Sequence, residues 1–200
     1  MKEIPAVVLI GQPNVGKSLF LVRFLEYLGA VQMQYQIKHR DRLDEKQAIS
    51  VQEASEHWVS ATPHHTRMLY QVAYQFPQKK GKQEFHLVDT SGLTEEIHIE
   101  SGVRQGMALS LAVLRDARIV LHMVDVSSLK QLNELDRQVH EYCRSSKQRY
   151  AVLANKMDQP QAEDGLLRLK DEWPKSYLIP VSALYQRGFK EVRSFVLGNL

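Results

Sequence analysis

The amino-acid sequence predicts an α/β three-layer sandwich on a mostly parallel six-stranded sheet with one antiparallel strand. Three observations carry this. A short, unbroken apolar run at residues 6–10 and largely apolar runs at 118–126, 150–154 and 177–181 have the character of strands buried in a parallel sheet. Segments of helical periodicity separate them. The turn after the first run reads Gly11-Gln12-Pro13-Asn14-Val15-Gly16-Lys17-Ser18, the spacing G-x-x-x-x-G-K-[ST] of a phosphate-binding loop between a strand and a helix.

The first strand, Ala6-Val7-Val8-Leu9-Ile10, is wholly apolar, with β-branched Val7, Val8 and Ile10. In the loop behind it, the glycines allow backbone conformations that turn successive N–H groups inward around phosphate oxygens. Lys17 is expected to reach the terminal phosphates, the Ser18 hydroxyl to sit on Mg2+, and the helix beginning near Leu19 to add the positive end of its dipole. That helix runs to Leu28 and stops at Gly29.

Residues 31–38 alternate apolar and polar side chains and read as a half-exposed strand at a sheet edge. From Asp44, which has capping-box spacing to Gln47, a modest helix is expected to about Val59. Glu53 and His57 share one face of it and read as an exposed pair. A polar loop at 60–66 leads into a strand at 67–76, where Met68, Tyr70, Val72, Tyr74 and Phe76 occupy one face. A lysine-rich turn at 78–83 joins it to an antiparallel partner at 85–88.

At the tip of that partner stands Asp89-Thr90-Ser91-Gly92, where a carboxylate beside the phosphate loop is suited to hold Mg2+ through water and the Gly92 N–H to approach a γ-phosphate. A glutamate- and glycine-bearing stretch follows to Gly106, then a helix to about Asp116. The strand at 118–126 contains His122, read as a hydrogen-bonded core residue rather than a catalyst. Helices at 131–145 and 161–172 flank the strand at 150–154, and a last helix starts near Gly188.

The phosphate loop does not choose the base. Asn155-Lys156-Met157-Asp158, at the end of a strand, fits N-K-x-D, and the Asp158 carboxylate can accept from both N1–H and the 2-amino group of guanine. Adenine offers neither donor, so the acid would stand unpaired against it. The Lys156 stem can cover the base plane, Asn155 can tie this loop to the phosphate loop, and a backbone N–H in Ser182-Ala183-Leu184 can meet guanine O6.

With these motifs in order, the chain resembles a translation-factor-type small GTPase of the TrmE, Era and EngA branch, over nearly its whole length. The resemblance implies a P-loop nucleotide hydrolase fold, binding of GTP and GDP, and Mg2+ held by Ser18, Thr66 and Asp89. Thr62 competes with Thr66 for that role; the Thr66-Arg67 pair directly before a strand favours Thr66. Two segments would report whether the γ-phosphate is present. Leu93 stands where Ras-like proteins carry the glutamine that orients water, and leucine forms no hydrogen bond. The branch shares this, and its members imply K+ bound with the help of Asn14 and a water-orienting acid, here Glu100, with Glu95 and Glu96 as alternatives. The expected catalytic group is thus Lys17, Thr66, Gly92, Asn14 and Glu100.

The composition is that of one soluble domain spanning 1–200, with an insertion at about 30–60 in the first switch that reads either as a partner surface or as a passive elaboration. A net charge of +3 points to no direct nucleic-acid or membrane binding by charge alone, and a single cysteine, Cys143, excludes an intrachain disulfide. Met1 to Pro5 carries an acid and a proline where a signal peptide needs an apolar run, so a cytoplasmic protein is expected, without a transmembrane segment. Its expected partners are a guanine nucleotide and, through the switches and the insertion, a ribosome, RNA or protein effector; the sequence leaves oligomeric state open. The main alternatives are a GTP-dependent scaffold with negligible hydrolysis and an ATP-using phosphotransferase, which Asp158 disfavours.

Overall fold

The computed structural model describes residues 4–39, 45–59, 68–78, 81–90 and 113–200. Their strands are β1 (Ala6–Ile10), β2 (Gln32–His39), β3 (Glu45–Ser50), β4 (Met68–Gln78), β5 (Gly81–Asp89), β6 (Ile119–Asp125), β7 (Arg149–Asn155) and β8 (Leu178–Pro180). The helices are α1 (Lys17–Tyr27), α2 (Val51–Val59), α3 (Glu134–Ser145), α4 (Ala162–Glu172) and α5 (Phe189–Asn199).

The sheet order is β3-β2-β4-β5-β1-β6-β7-β8. Strands β5, β1, β6, β7 and β8 pair in parallel, as their apolar runs predict. Val7, Val8, Leu9 and Ile10 are all nearly inaccessible, because helices cover both sheet faces. On one face, Phe20 and Phe24 of α1 meet Phe189 of α5 edge-on, with ring centroids 5.0 and 5.7 Å apart. On the other, Val139 and Cys143 of α3 pack on Val8, Ile10 and Val120, and Leu169 of α4 packs near Val124 and Val152.

The three-layer fold is as predicted, but among the described residues the sheet has eight strands and three antiparallel pairings rather than six strands and one antiparallel strand. The extra width comes from the 30–60 region. Residues Glu45–Ser50, expected to open a helix, form strand β3, and β2 is flanked on both sides instead of lying at an edge. The helix begins only at Val51. Its capping box lies further along the chain than the Asp44 and Gln47 spacing suggested: Ser50 Oγ accepts from the Glu53 N–H at 3.1 Å, and Glu53 Oε2 accepts from the Ser50 N–H at 3.0 Å. This region is no loose appendage. Met33, Tyr35, Val51 and Ala54 are buried in the same core as α1. The β4–β5 pair is antiparallel as expected, with Tyr70 opposite Asp89 and Gln78 opposite Gly81, so both strands extend into the turn expected at 78–83.

His122 is a satisfied core residue, as expected. Its Nε2 lies 2.9 Å from Asp136 Oδ1, and its Nδ1 lies 2.9 Å from the Tyr150 hydroxyl. His140 completes the cluster, stacked on Trp173 at a centroid distance of 4.1 Å and bonded to Ser176 Oγ at 2.7 Å. Burial, with smaller contributions from His122 and Arg144, lowers the His140 imidazole from 6.5 to about 4.

The sign of that shift fixes a pH dependence of stability. The unfolded chain binds the extra proton first, so the contribution of neutral His140 is complete above pH 6.5 and drains away toward pH 4. After allowance for solvent screening the loss is on the order of 1 kcal/mol across that window. Thermal melts between pH 7 and pH 4.5 should show a steeper fall in Tm for wild type than for His140→Phe, which retains the stack on Trp173. Equal slopes would remove His140 as the titrating group.

Candidate nucleotide site

The sheet order reverses around β1: β2 to β5 lie on one side of it and β6 to β8 on the other, with β5 and β6 as its parallel neighbours. Such a switch point opens a crevice at the carboxyl ends of the parallel strands, and the expected motifs lie there. The phosphate loop follows β1, Asp89 ends β5, Asn155 ends β7, and Ser182 follows β8.

The loop between β1 and α1 is shaped by two glycines with positive φ, Gly11 at 150° and Gly16 at 100°. A Cβ on Gly11 would stand 2.2 Å from the Met123 carbonyl oxygen, and one on Gly16 would stand 2.6 Å from Asn155 Nδ2. The loop therefore needs glycine both for conformation and for the approach of neighbouring strands. Asn14 is exposed at its crest, with φ 61°. Lys17 is only 3% accessible, and its ammonium donates to the Gly11 and Gln12 carbonyls at 2.9 and 2.7 Å, which directs it back across the loop. Gly16, the N-cap of α1, has no side chain to cap the first turn, so Lys17, Ser18 and Leu19 begin a helix whose N-terminus faces the crevice.

Ser18 Oγ donates to Asp89 Oδ2 at 2.6 Å, and Asp89 is fully buried. Two hard oxygen donors from distant parts of the chain thus meet beside the loop, a donor set that suits Mg2+. The Thr90 hydroxyl donates to the Leu9 carbonyl at 2.8 Å and fastens the tip of β5 to β1.

The base loop is built onto the same framework. Asn155 Nδ2 donates to the Val15 carbonyl at 2.7 Å, while Asn155 Oδ1 accepts from the Ala183 N–H at 2.9 Å. One buried amide therefore joins three loops. Asp158 Oδ1 accepts from the Ser182 hydroxyl at 2.5 Å and Oδ2 from the Gln159 amide at 2.9 Å. The Ser182 bond is the largest cause holding Asp158 below the usual carboxylate range, so the acid is kept in its acceptor-only form. Of the backbone donors expected near guanine O6, the Ala183 N–H is engaged by Asn155, and a base carbonyl would share it; Leu184, next on the same turn, is exposed.

The structure thus gathers Gly11, Asn14, Val15, Gly16, Lys17, Ser18, Leu19, Asp89, Asn155, Lys156, Asp158, Ser182, Ala183 and Leu184 at one end of the sheet. Thr66, Thr62, Ser91, Gly92, Leu93, Glu95, Glu96 and Glu100 lie outside the described residues. Sequence reasoning missed Asp125. It ends β6 opposite Asn155 in register, and its Oδ2 lies 2.6 Å from Lys156 Nζ. The available signal was an acid closing a buried strand, as Asp89 does.

No helix among the described residues is long and apolar enough to cross a membrane. The chain is similar to GTPase Der of a Nitratiruptor species, with 26% identity over 190 residues, which is 95% of this chain and 33% of that one. It therefore spans about a third of that relative's length (33%). Among solved structures, Era in complex with MgGDPNP and nucleotides 1506–1542 of 16S ribosomal RNA superposes with a TM-score of 0.60 at 20% identity, covering 100% of this chain and 58% of that one. The FeoB G-domain from Methanococcus jannaschii gives 0.56 at 17% identity and covers 98% of both chains. These structures share the fold. The phosphate loop, the acid at the tip of β5 and Asn155 all fall within residues 6–156, the span matched by the model of the 50S ribosome-binding GTPases, and the chain belongs to that family.

Proposed function

We propose that this protein is a Mg2+-dependent GTPase that works as a molecular switch. The observation that carries the reading is the Asn155 amide, which bonds Val15 of the phosphate loop and Ala183 of the base loop at once. Phosphate cradle and base selector are thereby held as one rigid crevice, and the selector is an ionised carboxylate with lone pairs left for two guanine donors.

In this reading Lys17 and the amides from Asn14 to Leu19 hold the phosphates, and Asn155, Lys156, Asp158 and the Ser182-Ala183-Leu184 turn hold guanine. Ser18 and Asp89, with Thr66, would hold Mg2+, which neutralises charge on the β- and γ-phosphates when bound. Water attacks the γ-phosphorus, the bond to the bridging oxygen breaks, and GDP and phosphate leave. Thr66 and Gly92 are assigned to sensing the γ-phosphate, Glu100 to orienting water and Asn14 to binding K+. Residues 1–200 act as a single G domain with the 30–60 insertion built into its core. A ribosome, RNA or protein effector is its proposed partner through the switches and that insertion, supported by the family and by the ribosomal RNA in the Era complex. A cytoplasmic location goes with that role.

The test is single-turnover GTP hydrolysis with Mg2+ in KCl and in NaCl at matched ionic strength. Turnover at least about tenfold faster in KCl is expected, since a bound cation stabilises transition-state charge. Equal rates in the two salts would remove K+ and Asn14 from the mechanism. Tight GTP binding with no hydrolysis in either salt would leave a GTP-dependent scaffold in place of a GTPase.

A further inference from the structure

The crevice holds two lysines with different surroundings. Lys17 is tied to the carbonyls of its own loop. Lys156 sits in the left-handed region at φ 67°, which costs a non-glycine residue roughly 1 kcal/mol or more unless its surroundings hold it there. Its ammonium is drawn to Asp125 Oδ2 at 2.6 Å, and the Lys156 side chain keeps 35% of its accessibility against 18% for Asp125. Asp125 is itself fixed, since Oδ1 accepts from the Ser127 N–H at 2.9 Å and from the Ser127 hydroxyl at 2.6 Å. Backbone bonds from the Val126 N–H to the Asn155 carbonyl and from the Met157 N–H to the Val181 carbonyl, both 3.1 Å, lock the same three strand ends together.

We infer that Asp125 is a positioning residue for nucleotide binding: its carboxylate anchors the Lys156 ammonium so that the methylene stem of Lys156 lies as a fixed apolar wall against the purine ring. This rests on the guanine-nucleotide reading above. The anchor does two things. It removes rotamer freedom from a long side chain before the ligand arrives, which lowers the entropy cost of binding. It also neutralises the ammonium, so that the stem can be desolvated against a base without stranding a charge. Recognition through Asp158 selects the base edge, while the Asp125 and Lys156 pair grips its face. The pair should thus govern how long a nucleotide stays more than which purine is chosen.

The experiment is a double-mutant cycle on the dissociation rate of N-methylanthraniloyl-GDP from the Mg2+-loaded chain. Asp125→Ala is expected to accelerate release about tenfold, and Asp125→Asn, which retains oxygen toward Ser127, by less. In a Lys156→Ala background the same Asp125→Ala change should alter release by less than about twofold, because the side chain it positions is gone. Affinity for inorganic pyrophosphate, which has no base, should stay at the wild-type value in all variants. Unchanged release from Asp125→Ala would overturn the inference. So would equal acceleration with and without Lys156, which would assign Asp125 to the Ser127 turn alone. Failure of the wild-type chain to retain the labelled GDP would instead sink the guanine-nucleotide reading, a result separate from either of these.

Discussion

Asp158→Asn should convert the protein from a guanine to a xanthine nucleotide binder. The native carboxylate accepts from two donors on guanine, N1–H and the 2-amino group. An amide at the same place presents one acceptor and one donor, which opposes the 2-amino group and matches the 2-oxo group of xanthine. Ser182 and Gln159 hold the Asp158 oxygens at 2.5 and 2.9 Å, so the new side chain inherits a fixed position. GDP affinity is expected to fall by about 10³ or more and XDP affinity to rise above it, since a site built to hydrogen-bond one ligand strongly rejects another that leaves its groups unpaired. Competition of XDP and GDP against a fluorescent guanine nucleotide reads both changes. Uniform loss of both nucleotides would mean that Asp158 only braces the Ser182 turn.

Lys17→Ala is the second large effect. Lys17 is almost wholly buried yet donates to backbone carbonyls, so its ammonium already lies inside the loop that would surround the phosphates. Its removal takes away the cation and deprives the Gly11 and Gln12 carbonyls of that donor. Charge-assisted bonds of this kind contribute about 1.5–3 kcal/mol each. GTP affinity should fall by about 10² and single-turnover hydrolysis by about 10³, because charge stabilisation matters most where charge moves in the transition state. The far-ultraviolet circular dichroism should stay at the wild-type value, since Phe20, Phe24 and Leu25 keep the apolar face of α1 in the core. Retention of full hydrolysis would remove Lys17 from the phosphate site.

What could be read in the sequence was whatever local chemistry forces. Gly11 and Gly16 are demanded by backbone geometry, and Ala6–Ile10 by burial on two faces, so strand, loop and helix were all legible. Asn155 and Asp158 were legible because guanine recognition needs those groups at that spacing. Strand β3 was not. Residues Glu45–Ser50 are polar on average because they form a sheet edge, and their order comes from pairing with β2, where the Tyr35 hydroxyl donates to Gln47 Oε1 at 2.5 Å. A helical capping signal at Asp44 and Gln47 outweighed that tertiary partner, while the working cap at Ser50 and Glu53 lay further along the chain. Asp125 was hidden for the same reason, since its partner Lys156 is distant in sequence and meets it only once β6 and β7 align.

One crevice is proposed both to grip a triphosphate and to select guanine. Equilibrium binding of GDP and ADP to the purified wild-type chain with Mg2+ tests it most directly. GDP should bind at least about 10³-fold tighter than ADP, because the ionised Asp158 finds two donors on one base and none on the other. Equal affinities would contradict this, and would show that the phosphate loop is real but the base loop does not read guanine.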